Sequence, residues 1–170
     1  LEWLEIFSVE PLGNVQQKLD ATALNSLLDK CCTYLINNPV FMQLASMNSS
    51  VIEPNVDPRV LLTHKDEIGN KIGKMSQSMS ESLEELSSTQ ISSLIVRTYS
   101  ILLGLWQTSC PIEKVSKVLH SSSLHIATPD FSSTSREMVK RLWQVEIEAS
   151  KAEKGGLFGR LFSSGTLWSN

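Results

Sequence analysis

Between residues 88 and 110, apolar side chains recur at Ile91, Leu94, Ile95, Tyr99, Leu102, Leu105 and Trp106. The spacing predicts a helix with a wide apolar stripe. Val96, Ile101 and Leu103 fall off the stripe, so the helix is apolar around much of its circumference. Such a helix has to be covered on several sides, which places it at the centre of the fold. Arg97 interrupts the run. A mid-span Arg costs roughly 2.5–3.5 kcal/mol on membrane-insertion scales, so a buried core helix fits better than a spanning one. Arg97 is expected at the edge of the core, with its head in water or against a carboxylate, or as an anchor for a partner.

Residues 64–86 carry the most regular pattern in the chain. Ile68, Ile72, Met75, Met79, Leu83 and Leu86 form a narrow stripe on an otherwise polar helix, close to a coiled-coil seam. Gly69 and Gly73 weaken its first half and offer a close helix approach. The connection to the next helix is so short that the two are expected to form an antiparallel hairpin.

Around this hairpin the pattern predicts further helices. Residues 20–36 show a face of Leu24, Leu27, Leu28, Cys31 and Leu35, ended by Asn37-Asn38-Pro39; Asn14 and Asp20 are both candidate caps. Pro39 opens a short helix over residues 40–47. Residues 48–57 read as a loop, and Asp57-Pro58 as a cap with a first-turn proline and one or two helical turns. Pro111 closes the central helix and opens another, to residue 121. Thr134 and Glu137 have capping-box spacing, and Met138, Leu142, Val145 and Ala149, with Trp143 widening the face, suggest the buried side of a helix that stops near Lys154, at Gly155-Gly156. No segment alternates as a strand. The fold class expected is all-α: a multi-helix bundle or short α-solenoid-like array around a central helical hairpin, with residues 1–154 as the helical domain and 155–170 as a glycine-hinged amphipathic tail.

Composition changes this picture little. The 170 residues are 41% hydrophobic and 19% charged, with a formal net charge of −3, ordinary for one globular domain. The negative balance argues against a nucleic-acid binder, which usually carries a basic stripe. Cys31, Cys32 and Cys110 have no spacing of a disulfide framework. The start at Leu1 lacks the basic opening of a secretory signal and suggests a segment of a longer or processed protein. A cytoplasmic location follows, with a peripheral membrane position as the variant.

Candidate chemistry is sparse. His120 and His125 flank a Ser-rich break, and His64 stands beside Lys65 and Asp66, so no metal set is expected. There is no Gly-x-Ser-x-Gly elbow and no Walker pattern. The clustered carboxylates Glu81, Glu84, Glu85, Glu146 and Glu148 read as solvated helix faces. No catalytic residue, cofactor or metal is expected. The tail is different: from Gly156 onwards, Leu157, Phe158, Leu161 and Phe162 would share one side of a helix, as in a helix laid in a partner's groove or on a bilayer. The reading from sequence is a non-catalytic protein–protein interaction module, a segment of an intracellular scaffold, adaptor or tethering subunit. Arg97, Phe158, Leu161, Phe162 and Trp168 are its candidate contacts with other protein subunits. No nucleic acid and no small-molecule substrate is expected. The alternative is a membrane-associating domain in vesicle trafficking, using the same tail.

Overall fold

The computed structural model describes residues 19–111, 113–123 and 128–163, and within these all side chains but those of residues 113, 120 and 157–163. Six α-helices follow in order among the described residues: α1 (Ala21–Asn37), α2 (Pro39–Met47), α3 (Pro58–Ser82), α4 (Ser88–Ser109), α5 (Glu113–His120) and α6 (Phe131–Ser163). There is no strand among the described residues, so the all-α, multi-helix expectation is met.

Local chemistry sets the helix starts. Asp20, not Asn14, caps α1 and accepts from the Ala23 N–H at 2.7 Å. Asp57 does the same for Arg59 at 2.8 Å, with Pro58 in the first turn. Ser87 and Gln90 form a reciprocal capping box on α4, in which Gln90 Oε1 takes the Ser87 N–H at 2.9 Å. Each such cap satisfies backbone donors that the first turn leaves without an intrahelical acceptor.

The central hairpin forms from α3 and α4. Ser92 Oγ donates to Ser76 Oγ at 2.8 Å in the seam between them. Met75, Met79, Ile91, Leu94, Ile95 and Leu102 are buried with it. The expected hairpin needs two adjustments. The segments around Pro58 and residues 64–82 are one helix of 25 residues, and it ends at Ser82 rather than Leu86. Leu83 and Leu86 are buried in the connection instead. Gly69 and Gly73 face open space, with nothing within 4 Å of the position a Cβ would take, so they mediate no close approach.

Helix α4 is central, as its all-round hydrophobicity requires: it packs against α2, α3 and α6, while α1 covers α6 and α2. α6 crosses α4 antiparallel. Trp106 meets Phe131 edge to face at 5.2 Å, and the fully buried Trp143 donates its indole N–H to Thr98 Oγ1 at 2.9 Å. On the other side of α6, Arg136 and Lys140 reach Asp29 of α1 at 3.5 and 2.8 Å.

The predicted face of α6 is rotated. Met138 and Val145 are 42% and 63% exposed; Trp143 is buried as expected, and the other inward positions are Phe131, Ser135, Val139 and Ser150. Two serines on the buried face hid it from a reading based on apolar residues alone. Ser150 Oγ donates to the Glu85 carbonyl oxygen, and Ser135 Oγ to that of Ser132 at 3.1 Å, so both hydroxyls enter the interior with acceptors. The helix also starts earlier than the Thr134 box implies, because Asp130 accepts from the Ser133 N–H at 2.7 Å. It continues through Gly155 and Gly156 to Ser163. A glycine ends a helix by turning left-handed, and neither of these does so. Lys154 braces this region by donating to the Glu84 and Glu85 carbonyls at 2.7 and 3.0 Å. The hinge expected at Gly155-Gly156 is therefore helix.

Candidate functional site

Residues 48–57, read from sequence as a loop, wind as a π-helical turn (Asn48–Ile52) and a 3₁₀ turn (Glu53–Asn55) between α2 and α3. Single π turns recur at functional sites. Here the wider winding holds Asn48 and Ile52 beside the α3–α4 hairpin. Between α2, this turn, α3 and α4 lies an open-mouthed cavity of about 650 Å³. Its volume falls in the range of small-molecule sites, roughly 300–1,000 Å³.

The walls follow from the packing. α2 contributes Phe41, Leu44 and Ala45; the π turn, Asn48 and Ile52; α3, His64, Lys65, Ile68 and Ile72; and α4, Ile95, Val96 and Tyr99. Most of this surface is apolar. Ile68 and Ile72 are half-buried because the α3–α4 seam closes fully only further along, at Met75 and Met79. Val96 was off the predicted stripe of α4; it is 51% exposed and faces this space.

The polar groups gather at one edge. Asn48 Nδ2 donates to Glu53 Oε1 at 2.6 Å, and Lys65 Nζ is paired with the same carboxylate oxygen. The hydrogen bond from Lys65 holds the Glu53 carboxyl below its ordinary range; Asn48 and the charge of His64 add to this, against desolvation. Tyr99 stands between the edge and the apolar wall, and burial pushes its phenol up. The arrangement suits a guest with an apolar body and one polar end.

A second depression, of about 790 Å³, is lined by Thr22, Asn25, Ser26, Asp29, Lys30, Thr33 and Tyr34. All of these lie on α1, so it is the open flank of one helix and not a space between elements. Among the described residues no three His, Cys, Asp or Glu side chains converge as a metal site.

The contacts expected from sequence lie elsewhere. Arg97 sits at the α4–α6 seam, where its guanidinium holds Glu146 in a fork, Nη1 to Oε2 at 3.0 Å and Nη2 to Oε1 at 3.4 Å. Of the tail residues, Phe158, Leu161 and Phe162 lie along α6, but their side chains, and all of Trp168, fall outside the described residues. Cys31 and Cys32 are both buried. Burial pushes both thiols up, Cys32 to about 11. The cavity residues were missed because each is unremarkable in sequence. His64 and Lys65 read as an isolated polar pair, and Asn48 and Ile52 as loop. The available signal was the apolar width of α4: Val96, off the stripe to which Tyr99 belongs, extends the apolar surface beyond what one neighbouring helix covers.

No described helix is long and apolar enough to cross a membrane. Comparison with curated proteins and with solved structures finds no match. Comparison with family models matches residues 9–144 to the family described as "Tetracyclin repressor-like, C-terminal domain". This overturns the reading as a scaffold, adaptor or tethering subunit, and the membrane-trafficking alternative with it. The family belongs to transcriptional regulators that bind small molecules and, through an N-terminal domain, DNA; the exclusion of small-molecule and nucleic-acid partners therefore fails as well. Nucleic acid was excluded on the net charge of −3, which says nothing of a separate DNA-binding domain. The functional reading and the exclusion of a small molecule share another cause. Elimination of catalytic motifs cannot detect a cavity whose lining is apolar and drawn from three helices. Domains of this kind are regulatory and generally not catalytic. With most of its length inside the match, the chain belongs to the family of tetracycline-repressor-like C-terminal domains.

Proposed function

We propose that this chain is the effector-binding domain of a transcriptional regulator, and that the cavity between α2, α3 and α4 is where its small-molecule effector binds. The observation that carries the reading is the cavity itself: about 650 Å³, apolar within and polar along one edge, in a chain of this family. The domain binds and does not transform its ligand. DNA contact falls to the N-terminal domain typical of such regulators, in keeping with the net charge of −3 here. The regulator works in the cytoplasm, where its operator DNA is.

Effector binding would act through the walls. The π turn links α2 to α3, and α3 is hydrogen-bonded to the start of the chain's core: the Leu19 N–H donates to the Ser82 carbonyl at 2.9 Å. A guest that spreads α2 from α3 strains elements on the N-terminal side of the domain. Such a guest shifts the regulator only by its differential affinity for the two arrangements.

The test is a thermal-shift screen of small amphipathic molecules against the 170-residue chain and its Val96→Trp variant. Val96 is half exposed at the cavity, so the indole fills space without entering the core. A ligand at a hundred times its Kd stabilises by about 2.7 kcal/mol, several degrees in a domain of this size. Molecules that stabilise the parent and not the variant support the reading. A screen in which every stabilising molecule acts equally on both refutes it.

A further inference from the structure

The groups at the rim decide which effectors the cavity takes. Three polar side chains other than the Tyr99 phenol reach the lining: Asn48, His64 and Lys65. All three can donate a hydrogen bond, and two are basic. Among the described residues the lining holds no carboxylate, and Glu53, off the lining, is already engaged, with Asn48 and Lys65 both donating to its Oε1. A guest therefore meets donors and positive charge at the mouth and an apolar wall beyond. The Glu53–Lys65 pair also ties the turn between α2 and α3 to the first turns of α3.

Resting on the cavity as the effector site, we propose that the effector is an apolar carboxylic acid whose carboxylate takes Lys65 in exchange for Glu53. The tail lies along Ile68, Ile72 and Val96. The head replaces the side chain that pins the turn, so that binding and release of the α2–α3 connection become one event. A cationic head has no free acid on the lining to meet. An uncharged head can use the donors but cannot displace a carboxylate from a lysine.

The exchange makes a prediction that simple apolar binding does not. Glu53 competes with the ligand for Lys65, so removing its charge strengthens carboxylate binding even though Glu53 is not on the lining. Three probes with one tail separate the head groups: decanoate, decan-1-ol and decyltrimethylammonium. Each is titrated calorimetrically, below its micelle-forming concentration, into the 170-residue chain. Because the new contact replaces an existing one on a half-exposed lysine, decanoate is expected to bind about threefold more tightly than decan-1-ol in the parent, and the ammonium more weakly still. Lys65→Gln abolishes the preference. Glu53→Gln tightens decanoate about threefold or more and leaves decan-1-ol unchanged. Salt weakens decanoate selectively.

Equal binding of all three probes, a preference for the ammonium, or a carboxylate preference that survives Lys65→Gln overturns the proposal. Val96→Trp keeps its failure distinct from failure of the site. If the variant loses all three probes while the parent ignores the head group, the cavity stands and only the carboxylate assignment falls. If the variant binds the probes as the parent does, the cavity is not where they bind and both readings fall. Ile68→Trp, on the α3 wall, repeats the test should Val96→Trp lose its helical circular dichroism.

Discussion

The Trp143–Thr98 hydrogen bond offers the sharpest quantitative test of how the bundle is held together. Trp143 is fully buried, Thr98 is fully buried, and the indole N–H reaches the Thr98 hydroxyl at 2.9 Å across the α4–α6 interface. Thr98→Val keeps the β-branched shape and nearly the same helix propensity. It removes the acceptor and leaves a methyl group against the indole nitrogen. Depriving a buried donor of its acceptor costs about 1–3 kcal/mol. The added methyl recovers at most about 0.8 kcal/mol by burial. The net expectation is a loss of about 1–2 kcal/mol, read as a lower urea midpoint with an unchanged m-value, or a Tm about 2–8 °C lower. The same substitution is then made in a Trp143→Phe background. There the indole donor is gone, so Thr98→Val should be neutral or stabilising even though the ring change itself destabilises. The cycle isolates the pair. A loss under about 0.5 kcal/mol in the parent, or an equal loss in both backgrounds, would refute the assignment of this hydrogen bond as a stabilising link between α4 and α6.

Further outcomes follow from other parts of the bundle. Gly69→Ala and Gly73→Ala, made where nothing lies within 4 Å of an added Cβ, should each raise stability by about 0.5–1 kcal/mol in urea unfolding; destabilisation would mean that the glycines are needed for packing. Arg97→Ala should cost no more than about 1 kcal/mol, and less in high salt, because the pair with Glu146 lies at the surface. With a thiol reagent near neutral pH, one cysteine, the exposed Cys110, should react in the native protein and three after unfolding. Its own thiol is pushed up by partial burial and by Asp130, so the native reaction should be slower than that of a free thiol. Cys32 is raised by burial from 9.0 to about 11. The folded state thus holds a proton that the unfolded state loses. The stability from this group is complete below about pH 9 and falls as pH rises through 11, seen as a declining Tm in alkaline buffers that Cys32→Ala should flatten.

The sequence by itself determined the helices and the central pair. The spacing of apolar residues in α1, α3 and α4 is dictated by the 3.6-residue turn, and the caps at Asp20, Asp57 and Ser87 are local hydrogen-bonding chemistry. The all-round hydrophobicity of α4 required a covered position. These features depend on neighbours within a few residues. What depended on distant partners was not legible. Ser150 turns inward to the Glu85 carbonyl of the α3–α4 connection, and Ser135 is buried by the helices packed over it while its hydroxyl bonds within its own helix, so the buried face of α6 could not be read from hydrophobicity. Gly155 and Gly156 remain helical beside a lysine braced on the carbonyls of another segment. The cavity is the strongest case. Phe41, Ile52, Ile68 and Val96 come from four segments, and each alone is an ordinary apolar residue. Only the tertiary structure decides that α2 and α3 leave space over α4, because a void belongs to no residue and has no signature in a chain. The rim is equally a tertiary fact: Lys65 and Glu53, twelve residues apart, meet only because the π turn brings the chain back over α3.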